Sequence, residues 1–275
     1  MSKLNVLLQN TGDMALKRRA TRIVTEINAR PGDKIIDIGC GDGYYLHLLS
    51  NLDVPRLQLS GTDYDILGLE KTKTNLKGKK IKIFPGDLMK RLPFKNNSFD
   101  KAVMSEVAEH LPDDVKGLRE VNRILKSGGV LCLTVPHANY PFLWDPVNWL
   151  LEALFFTHFK SGFLAGIWNQ HIRLYRPNDI KKVVEAAGFK VEKLESLTYW
   201  CLPFNHFLVN LVARFLHRQY VKGTPNQSLN KFTIFPTRSW LLNVAFKIAN
   251  LVDKLNDLLP RKHAGVAVFV KAVKS

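Results

Sequence analysis

Three closely spaced glycines follow the first apolar segment of the chain and constrain its fold more than any other feature. The segment at 34–38 is short and β-rich, and Asp37-Ile-Gly-Cys-Gly-Asp-Gly43 continues directly from it. Because glycine adopts backbone conformations that other residues avoid, the chain can turn sharply here and let a ligand approach its main chain. The spacing is GxGxG, whereas dinucleotide-binding turns are spaced GxGxxG. The pattern predicts a strand, a ligand-binding turn and a helix.

Apolar runs of strand length alternate with amphipathic runs of helix length along most of the chain. Strands are predicted at 34–38, 57–63, 80–84, 99–105, 130–135, 189–198 and 265–273. Helices are predicted at 13–30, 43–52, 64–76, 112–125 and 177–187, with Ser127-Gly128-Gly129 at the C-terminal end of the fourth. Such alternation is typical of a parallel sheet covered on both faces, so we expect one α/β domain over residues 1–275.

Composition and charge narrow the function classes. Hydrophobic residues make up 46% of the 275 residues, which is enough for a large core and excludes a disordered chain. Cys40, Cys132 and Cys201 are too scattered for a disulfide framework or a cysteine zinc site, and residues 1–22 lack a signal-peptide pattern, so we expect a cytoplasmic protein. The net charge of +16 favours an anionic partner such as nucleic acid, a membrane surface or a phosphorylated substrate. A source organism whose proteins are generally basic is the alternative.

Acidic residues end two further strands. The second strand ends in Gly61-Thr62-Asp63, about 20 residues after the glycine turn, where a carboxylate can accept hydrogen bonds from ribose hydroxyls. The third is followed by Gly86-Asp87, which is placed for an adenine amino group. Turn formation alone would also account for both aspartates.

Four stretches in this order resemble class I S-adenosylmethionine (SAM)-dependent methyltransferases, in particular the ubiquinone/menaquinone-type small-molecule group. They are DIGCGDG at 37–43, GTD at 61–63, GDLMKRLPFKNNSFDKAVMSEVAEHL at 86–111 and REVNRILKSGGVLCLTVP at 119–136. The resemblance covers 30–136 and resumes at 171–199 and at the last strand. It implies a Rossmann-like, mostly parallel seven-stranded sheet of order 3-2-1-4-5-7-6, with helical insertions after strand 5 and between strands 6 and 7.

The resemblance also implies the cofactor, SAM, and the residues that bind it. Asp37, Gly39, Gly41 and Gly43 would line the methionine and ribose part of SAM, and Asp63 would bind its ribose hydroxyls. Asp87 and Leu88 would frame the adenine, and Glu106 would lie near the sulfonium end.

A cluster of acidic residues and a histidine follows the fourth strand. Glu106, Glu109 and His110 would share one face of a helical turn, where they could hold a divalent metal, as in some quinone and small-RNA methyltransferases. The favoured alternative is that the cluster binds no metal and that His110 packs or acts as a base. His137 and His171 are further candidates for the base, although a single histidine is more often structural.

Two long segments depart from the simple alternation. Residues 137–176 are rich in aromatic and aliphatic residues, which predicts either a lid over the substrate or a small helical subdomain. Residues 200–263 contain helical patterns at 204–216 and 240–260, and between 200 and 262 nine basic residues face two acidic ones, a net charge of +7. Basic amphipathic helices suit a membrane interface, and packing on the sheet edge or in a homodimer is the alternative. Neither pattern reads as a transmembrane span.

These patterns together predict a SAM-dependent enzyme that methylates a hydrophobic small molecule. A quinone precursor, an isoprenoid or a lipid would fit, with the enzyme peripheral on the inner face of the membrane. Three alternatives stay open: an RNA methyltransferase, a soluble methyltransferase for a polar metabolite whose insertions form a homodimer, and a non-catalytic SAM-binding protein.

Overall fold

The computed structural model describes residues 3–9, 11–204, 231–232, 240–261 and 263–275. The chain divides into two compact units, of which the first comprises Met1–Arg18, His137–His171 and Ser196–Ala267. The second comprises Arg19–Pro136, Ile172–Glu195 and Val268–Ser275. Much of the two segments that depart from the strand–helix alternation therefore lies in the first unit.

Seven strands form a single sheet in the order β3-β2-β1-β4-β5-β7-β6, which confirms the topology implied by the resemblance. The strands are β1 (Lys34–Ile38), β2 (Gln58–Asp63), β3 (Ile81–Pro85), β4 (Phe99–Ser105), β5 (Leu125–Pro136), β6 (Phe189–Leu197) and β7 (Ala267–Lys274). The pairings of β1 with β2 and β4, of β2 with β3 and of β4 with β5 are parallel. The carboxyl ends of these five strands consequently meet at one edge.

Within the described residues, helices precede, separate and follow these strands along the chain. They are α1 (Lys3–Leu7), α2 (Met14–Ile27), α3 (Tyr44–Ser50), α4 (Ile66–Asn75), α5 (Asp114–Ile124), α6 (Pro146–Phe155), α7 (Pro177–Ala186) and α8 (Trp240–Leu258). Short 3-10 turns lie at Ala108–His110 and Phe163–Trp168. Asp65 and Asp113 begin α4 and α5 by accepting hydrogen bonds from the backbone N–H groups of Leu67 and Lys116. The sheet packs against α5 and α7 through a core of buried apolar side chains.

The predicted start of β5 is wrong. Ser127-Gly128-Gly129 was expected to cap α5, but the helix ends at Ile124 and these residues lie inside β5, which begins at Leu125. The pairing of β4 with β5 is irregular between Phe99 and Lys101, and this irregularity accommodates the glycines. The strand β5 therefore begins to pair with β4 at Leu125, before its apolar run at 130–135. The helical pattern at 204–216 lies outside the described residues, whereas the pattern at 240–260 forms α8. Within the part of the chain that is described, no helix is long and apolar enough to cross a membrane.

Candidate functional site

The glycine turn between β1 and α3 provides an open backbone surface. Gly39, Gly41 and Gly43 have φ angles of 68°, 51° and 87°, all in the left-handed region that favours glycine. A Cβ atom at Gly39 would lie 2.4 Å from Cγ2 of Val107, so this glycine is required for packing. A Cβ atom at Gly41 would meet nothing within 4 Å. The turn thus leaves space beside Gly41 for a ligand to contact the main chain.

Asp63, at the end of β2, holds this turn in place. Its Oδ2 accepts a hydrogen bond from the backbone N–H of Gly41 at 2.8 Å, and its Oδ1 accepts one from Asp65 at 2.9 Å. A carboxylate oxygen can accept more than one hydrogen bond, so Asp63 retains acceptor capacity for ligand hydroxyls. Asp63 therefore has a positioning role in addition to the ribose contact that the sequence predicted.

Asp37, the fourth residue of β1, is a buried acceptor. It is 1% exposed, and its Oδ2 accepts no hydrogen bond from any residue that the structure describes. Burial, followed by the charges of Asp63 and Asp42, raises the pKa of the Asp37 carboxyl well above its usual value. Since buried polar atoms are nearly always hydrogen-bonded, a ligand with a donor group fits here. A buried acceptor beside an open glycine turn suits the amino and hydroxyl groups of SAM.

Asp87 and Leu88 form the loop after β3, on the same edge of the sheet. The Oδ1 atom of Asp87 accepts a hydrogen bond from the backbone N–H of Met89 at 2.8 Å, which fixes the loop. The carboxyl is part-exposed, with its Oδ2 3.6 Å from Nζ of Lys90, whereas Leu88 is buried. An acceptor beside an apolar side chain is the arrangement that the adenine prediction requires.

Glu106, directly after β4, has a conformation that the sequence did not reveal. Its φ angle of 55° is unusual for a residue with a side chain. The backbone N–H of Glu106 donates to the carbonyl of Thr134 at 2.9 Å, and Nη1 of Arg19 donates to its Oε2 at 2.9 Å. No described residue donates to its buried Oε1. Arg19, on α2, was missed because no motif surrounds it and 87 residues separate the pair.

The expectation that Glu106, Glu109 and His110 share one helical turn is wrong. The 3-10 turn spans only Ala108–His110, and Glu106 lies before it in the left-handed region. Glu109 is fully buried, and burial, followed by the charge of Glu106, raises its pKa well above the usual value. His110 is part-exposed, with its Nε2 3.9 Å from Oε1 of Glu109. A metal at this cluster would require an ionised Glu109 and stays a prediction.

Replacing Glu109 by Gln is expected to stabilise the protein at pH 8 but not at pH 4. A raised pKa in the folded state means that folding opposes ionisation, so Glu109 lowers stability increasingly as the pH rises above its ordinary pKa of 4.5. We expect the Tm of Glu109→Gln to exceed that of the wild type by about 3 °C or more at pH 8. Differential scanning calorimetry at both pH values measures this.

Glu26→Gln is the control, because the pKa of Glu26 is shifted in the opposite direction to that of Glu109. A hydrogen bond from Lys193 lowers the pKa of Glu26, so its contribution to stability is present above pH 4.5 and is lost as the pH falls. Its removal should lower the Tm at pH 8 and matter less near pH 4. A Glu109→Gln gain that is equal at pH 4 and pH 8 would show that the amide packs better and that ionisation plays no part.

The two other candidate histidines lie in the first unit. His137 is fully buried; its Nδ1 accepts a hydrogen bond from the backbone N–H of Asn139 at 2.8 Å, and its Nε2 is 3.2 Å from Oγ of Ser196. Burial, followed by the charge of His263, lowers the pKa of His137 to about 4. Both nitrogens are engaged, which opposes a role as a base. His171 is part-buried, and its backbone N–H donates to the carbonyl of Trp168.

Comparisons with known proteins identify the family that the chain resembles. Residues 36–133 match a family model described as a methyltransferase domain. The demethylmenaquinone methyltransferase of Staphylococcus aureus (strain JH9) is 31% identical over 190 residues, which cover 64% of this chain and 76% of that protein.

Solved structures of low sequence identity share the fold. A SAM-dependent methyltransferase from Mesorhizobium loti is 17% identical with a TM-score of 0.54, covering 92% of this chain and 96% of that one. Phosphoethanolamine N-methyltransferase 2 of Haemonchus contortus, solved with S-adenosyl-L-methionine, is 18% identical with a TM-score of 0.57, covering 93% of this chain and 52% of that one.

Proposed function

The chain belongs to the class I SAM-dependent methyltransferases, and we propose that it methylates a hydrophobic small molecule at the inner face of a membrane. A quinone precursor, an isoprenoid or another lipid fits the proposal. The observation that carries it is the 31% identity, over 76% of that protein's length, to an enzyme whose name gives demethylmenaquinone as its acceptor. The apolar residues that the first unit exposes between 142 and 164 support the same class of acceptor.

The residues of the second unit provide what methyl transfer needs. SAM, when bound, supplies an electrophilic methyl group on a sulfonium. We propose that Asp37, Asp63 and the glycine turn hold its polar groups and that Asp87 and Leu88 frame its adenine. The Arg19–Glu106 pair, with an N–O distance of 2.9 Å, fixes a carboxylate just after β4. An in-line displacement gains most from such positioning and from exclusion of water.

His110 is our proposed proton acceptor for a hydroxyl acceptor group. It follows β4 at the carboxyl edge of the sheet and is part-exposed, so a substrate can reach it. His137 is buried and engaged at both ring nitrogens, which makes it the weaker candidate. A base must lie within hydrogen-bond reach of the proton that it removes, and accessibility is the first requirement. His171 stays the second candidate.

The acceptor class is tested with SAM that carries a labelled methyl group. The purified protein is incubated with extract of the source cells, which is then separated into organic-soluble, aqueous small-molecule, protein and RNA fractions. We expect the label in the organic fraction and none with Asp63→Ala, provided that this variant keeps the wild-type Tm. Label confined to RNA, protein or the aqueous fraction would contradict the proposal.

RNA methylation is the second candidate function, and one observation favours it. The net charge is +16, and the lysines between 71 and 82 are exposed. Such charge alone supports non-specific binding to nucleic acid and carries no sequence information. Label in the RNA fraction, together with RNA binding that weakens steeply with salt, would favour this candidate. A polar acceptor would instead place the label in the aqueous fraction, and the exposed apolar faces would then be candidates for a homodimer interface.

A further inference from the structure

Helix α6 of the first unit is amphipathic with its polar face turned inward. Asp145, which caps the helix, and Asn148 are fully buried. Glu152, one turn further, accepts hydrogen bonds from the Tyr140 hydroxyl and the Trp168 indole. The outward side of the helix exposes Trp149, Leu150, Leu154 and Phe155 instead, and Phe156, which directly follows the helix, is 93% exposed. A surface helix of a water-soluble domain has the opposite arrangement.

A buried polar network holds α6 in this orientation. Asp145 accepts hydrogen bonds from the backbone N–H groups of Asn148 and Ile167 at 3.2 and 3.0 Å. The Asn148 amide donates to the carbonyls of Leu164 and Ala165 at 2.9 and 3.1 Å. Fully hydrogen-bonded buried networks specify one arrangement, because any other leaves polar groups unpaired. The outward apolar face is therefore a built feature of this unit.

Helix α8 repeats this inverted arrangement. Asp253 forms an ion pair with Arg18, and Oδ1 of Asn256 accepts hydrogen bonds from the backbone N–H groups of Tyr199 and Trp200 at 2.7 and 2.8 Å. The opposite side exposes a stripe at helical spacing, formed by Val244, Ile248, Leu251, Leu255 and Leu258. Two helices of one unit thus use their polar faces for internal contacts and present apolar faces to the surroundings.

Charges and aromatic rings border the α8 stripe. Lys247 and Lys254 are exposed on one side of the apolar arc. At its C-terminal end the Trp200 indole donates to the carbonyl of Leu259 at 2.9 Å, and the Arg261 guanidinium lies 5.8 Å from the centre of the Trp200 ring. An apolar face edged by tryptophan and cations matches the boundary between lipid tails and headgroups.

Charge complementarity selects the occupant of these faces. Between 200 and 262 nine basic residues face two acidic ones, a net charge of +7. The two acidic residues, Asp253 and Asp257, both form ion pairs with Arg18 of the same unit. Basic residues near a bilayer attract anionic headgroups, while apolar side chains enter the region beneath them. A second copy of this chain would carry the same positive charge and be repelled.

We propose that the outward apolar faces of α6 and α8 dock the protein on the surface of an anionic lipid bilayer, with both helices lying in the interface. This inference deepens the proposed function and rests on it for the choice of a lipid surface, since a lipophilic acceptor resides in a bilayer. The docking itself involves no methyl transfer, so it can be tested without a substrate.

Three leucines of equal exposure give matched variants for vesicle binding. Leu154 on α6 and Leu251 on α8 are 65% and 66% exposed, and Leu67, on α4 of the second unit, is 67% exposed. The full-length wild type and the variants Leu154→Glu, Leu251→Glu and Leu67→Glu are sedimented with vesicles of phosphatidylcholine alone or with about one-third phosphatidylglycerol. Thermal melting and SAM titration check that each variant is folded.

We expect the wild type to bind the anionic vesicles and to bind neutral ones far more weakly. Leu154→Glu and Leu251→Glu should each weaken binding about tenfold or more. Each variant loses a leucine that would be buried in the bilayer and adds a negative charge that the anionic headgroups repel. Leu67→Glu should bind like the wild type. Folded Leu154→Glu and Leu251→Glu variants that bind as well as Leu67→Glu would overturn the proposal, as would a wild type that ignores anionic vesicles at low salt.

Light scattering and the labelling experiment separate the remaining outcomes. A wild-type dimer that Leu251→Glu converts to a monomer, without vesicle binding, would overturn docking on lipid and make the α8 face an interface between copies. Label in the organic fraction from detergent-dispersed extract, without vesicle binding, would overturn the docking and the membrane location and leave methylation of a hydrophobic small molecule standing. Vesicle binding that responds to the α6 and α8 variants, with label in RNA, would support the docking and contradict the proposed function.

Discussion

Gly41→Asn is expected to weaken SAM binding about 100-fold or more, whereas Gly128→Asn should leave it unchanged. Both glycines have left-handed φ angles, 51° and 72°, and a Cβ atom at either meets nothing within 4 Å. Asparagine is the residue that adopts this conformation with the least strain after glycine. Neither substitution should therefore disturb folding. Only the side chain at 41 would fill the space beside Asp63 where the cofactor is expected.

Position 128 is a matched control because it lies near the amino end of β5, away from the carboxyl edge where the glycine turn is. Isothermal titration calorimetry with SAM measures the affinity, and thermal melting confirms that both variants are folded. Equal weakening by the two variants would attribute the effect to backbone strain. An unchanged affinity for Gly41→Asn would show that SAM does not approach the main chain at this turn, and the cofactor site would have to be sought elsewhere.

Most of the sheet could be predicted because its patterns are local. The glycine turn after β1 and the aspartate at the end of β2 each belong to a single strand end, and the predicted β4 boundaries, Phe99–Ser105, are those observed. The start of β5 was misplaced because glycine signals a helix end more often than a strand. At Gly129 a Cβ atom would lie 2.7 Å from the carbonyl oxygen of Lys126, so tight backbone packing explains that residue.

The contacts around Glu106 could not be predicted from local patterns. Glu106 was identified through its motif, but its partner Arg19 lies on another helix, and no spacing rule relates the two. The assumption that Glu106 belongs to a helical turn failed because its φ of 55° is not helical and the turn begins only at Ala108. Such a conformation costs free energy that the hydrogen bonds to Thr134 and Arg19 offset. Both facts depend on tertiary structure.

Helices α6 and α8 show a further limit of periodicity. A 3-4 spacing of apolar residues establishes that a helix has two faces, but it does not state which face points toward protein. In α8 the deciding residues are Asp253 and Asn256, whose partners Arg18 and Trp200 lie far away in the sequence. No local sequence pattern identifies a helix face that packs inward through polar contacts. The sequence alone therefore left alternatives open for 200–263.

Replacing His110 by Gln is expected to lower kcat about 100-fold to 10,000-fold and to leave SAM affinity unchanged, if the acceptor group is a hydroxyl. Glutamine retains polarity and similar size but cannot take up a proton at neutral pH. The loss should appear in kcat and not in SAM binding, because a base acts in the transition state and contributes little to ground-state binding. Transfer of labelled methyl to the organic fraction, over a range of SAM concentrations, separates the two constants.

His263→Gln is the matched control, since His263 is an exposed histidine of the first unit for which no catalytic role is proposed. It should retain the wild-type kcat. A His110→Gln enzyme within twofold of the wild-type kcat would exclude His110 as the base. The same substitution at His171 would then be the decisive measurement, or the acceptor would be a carbanion or an amine, which needs less help from a base.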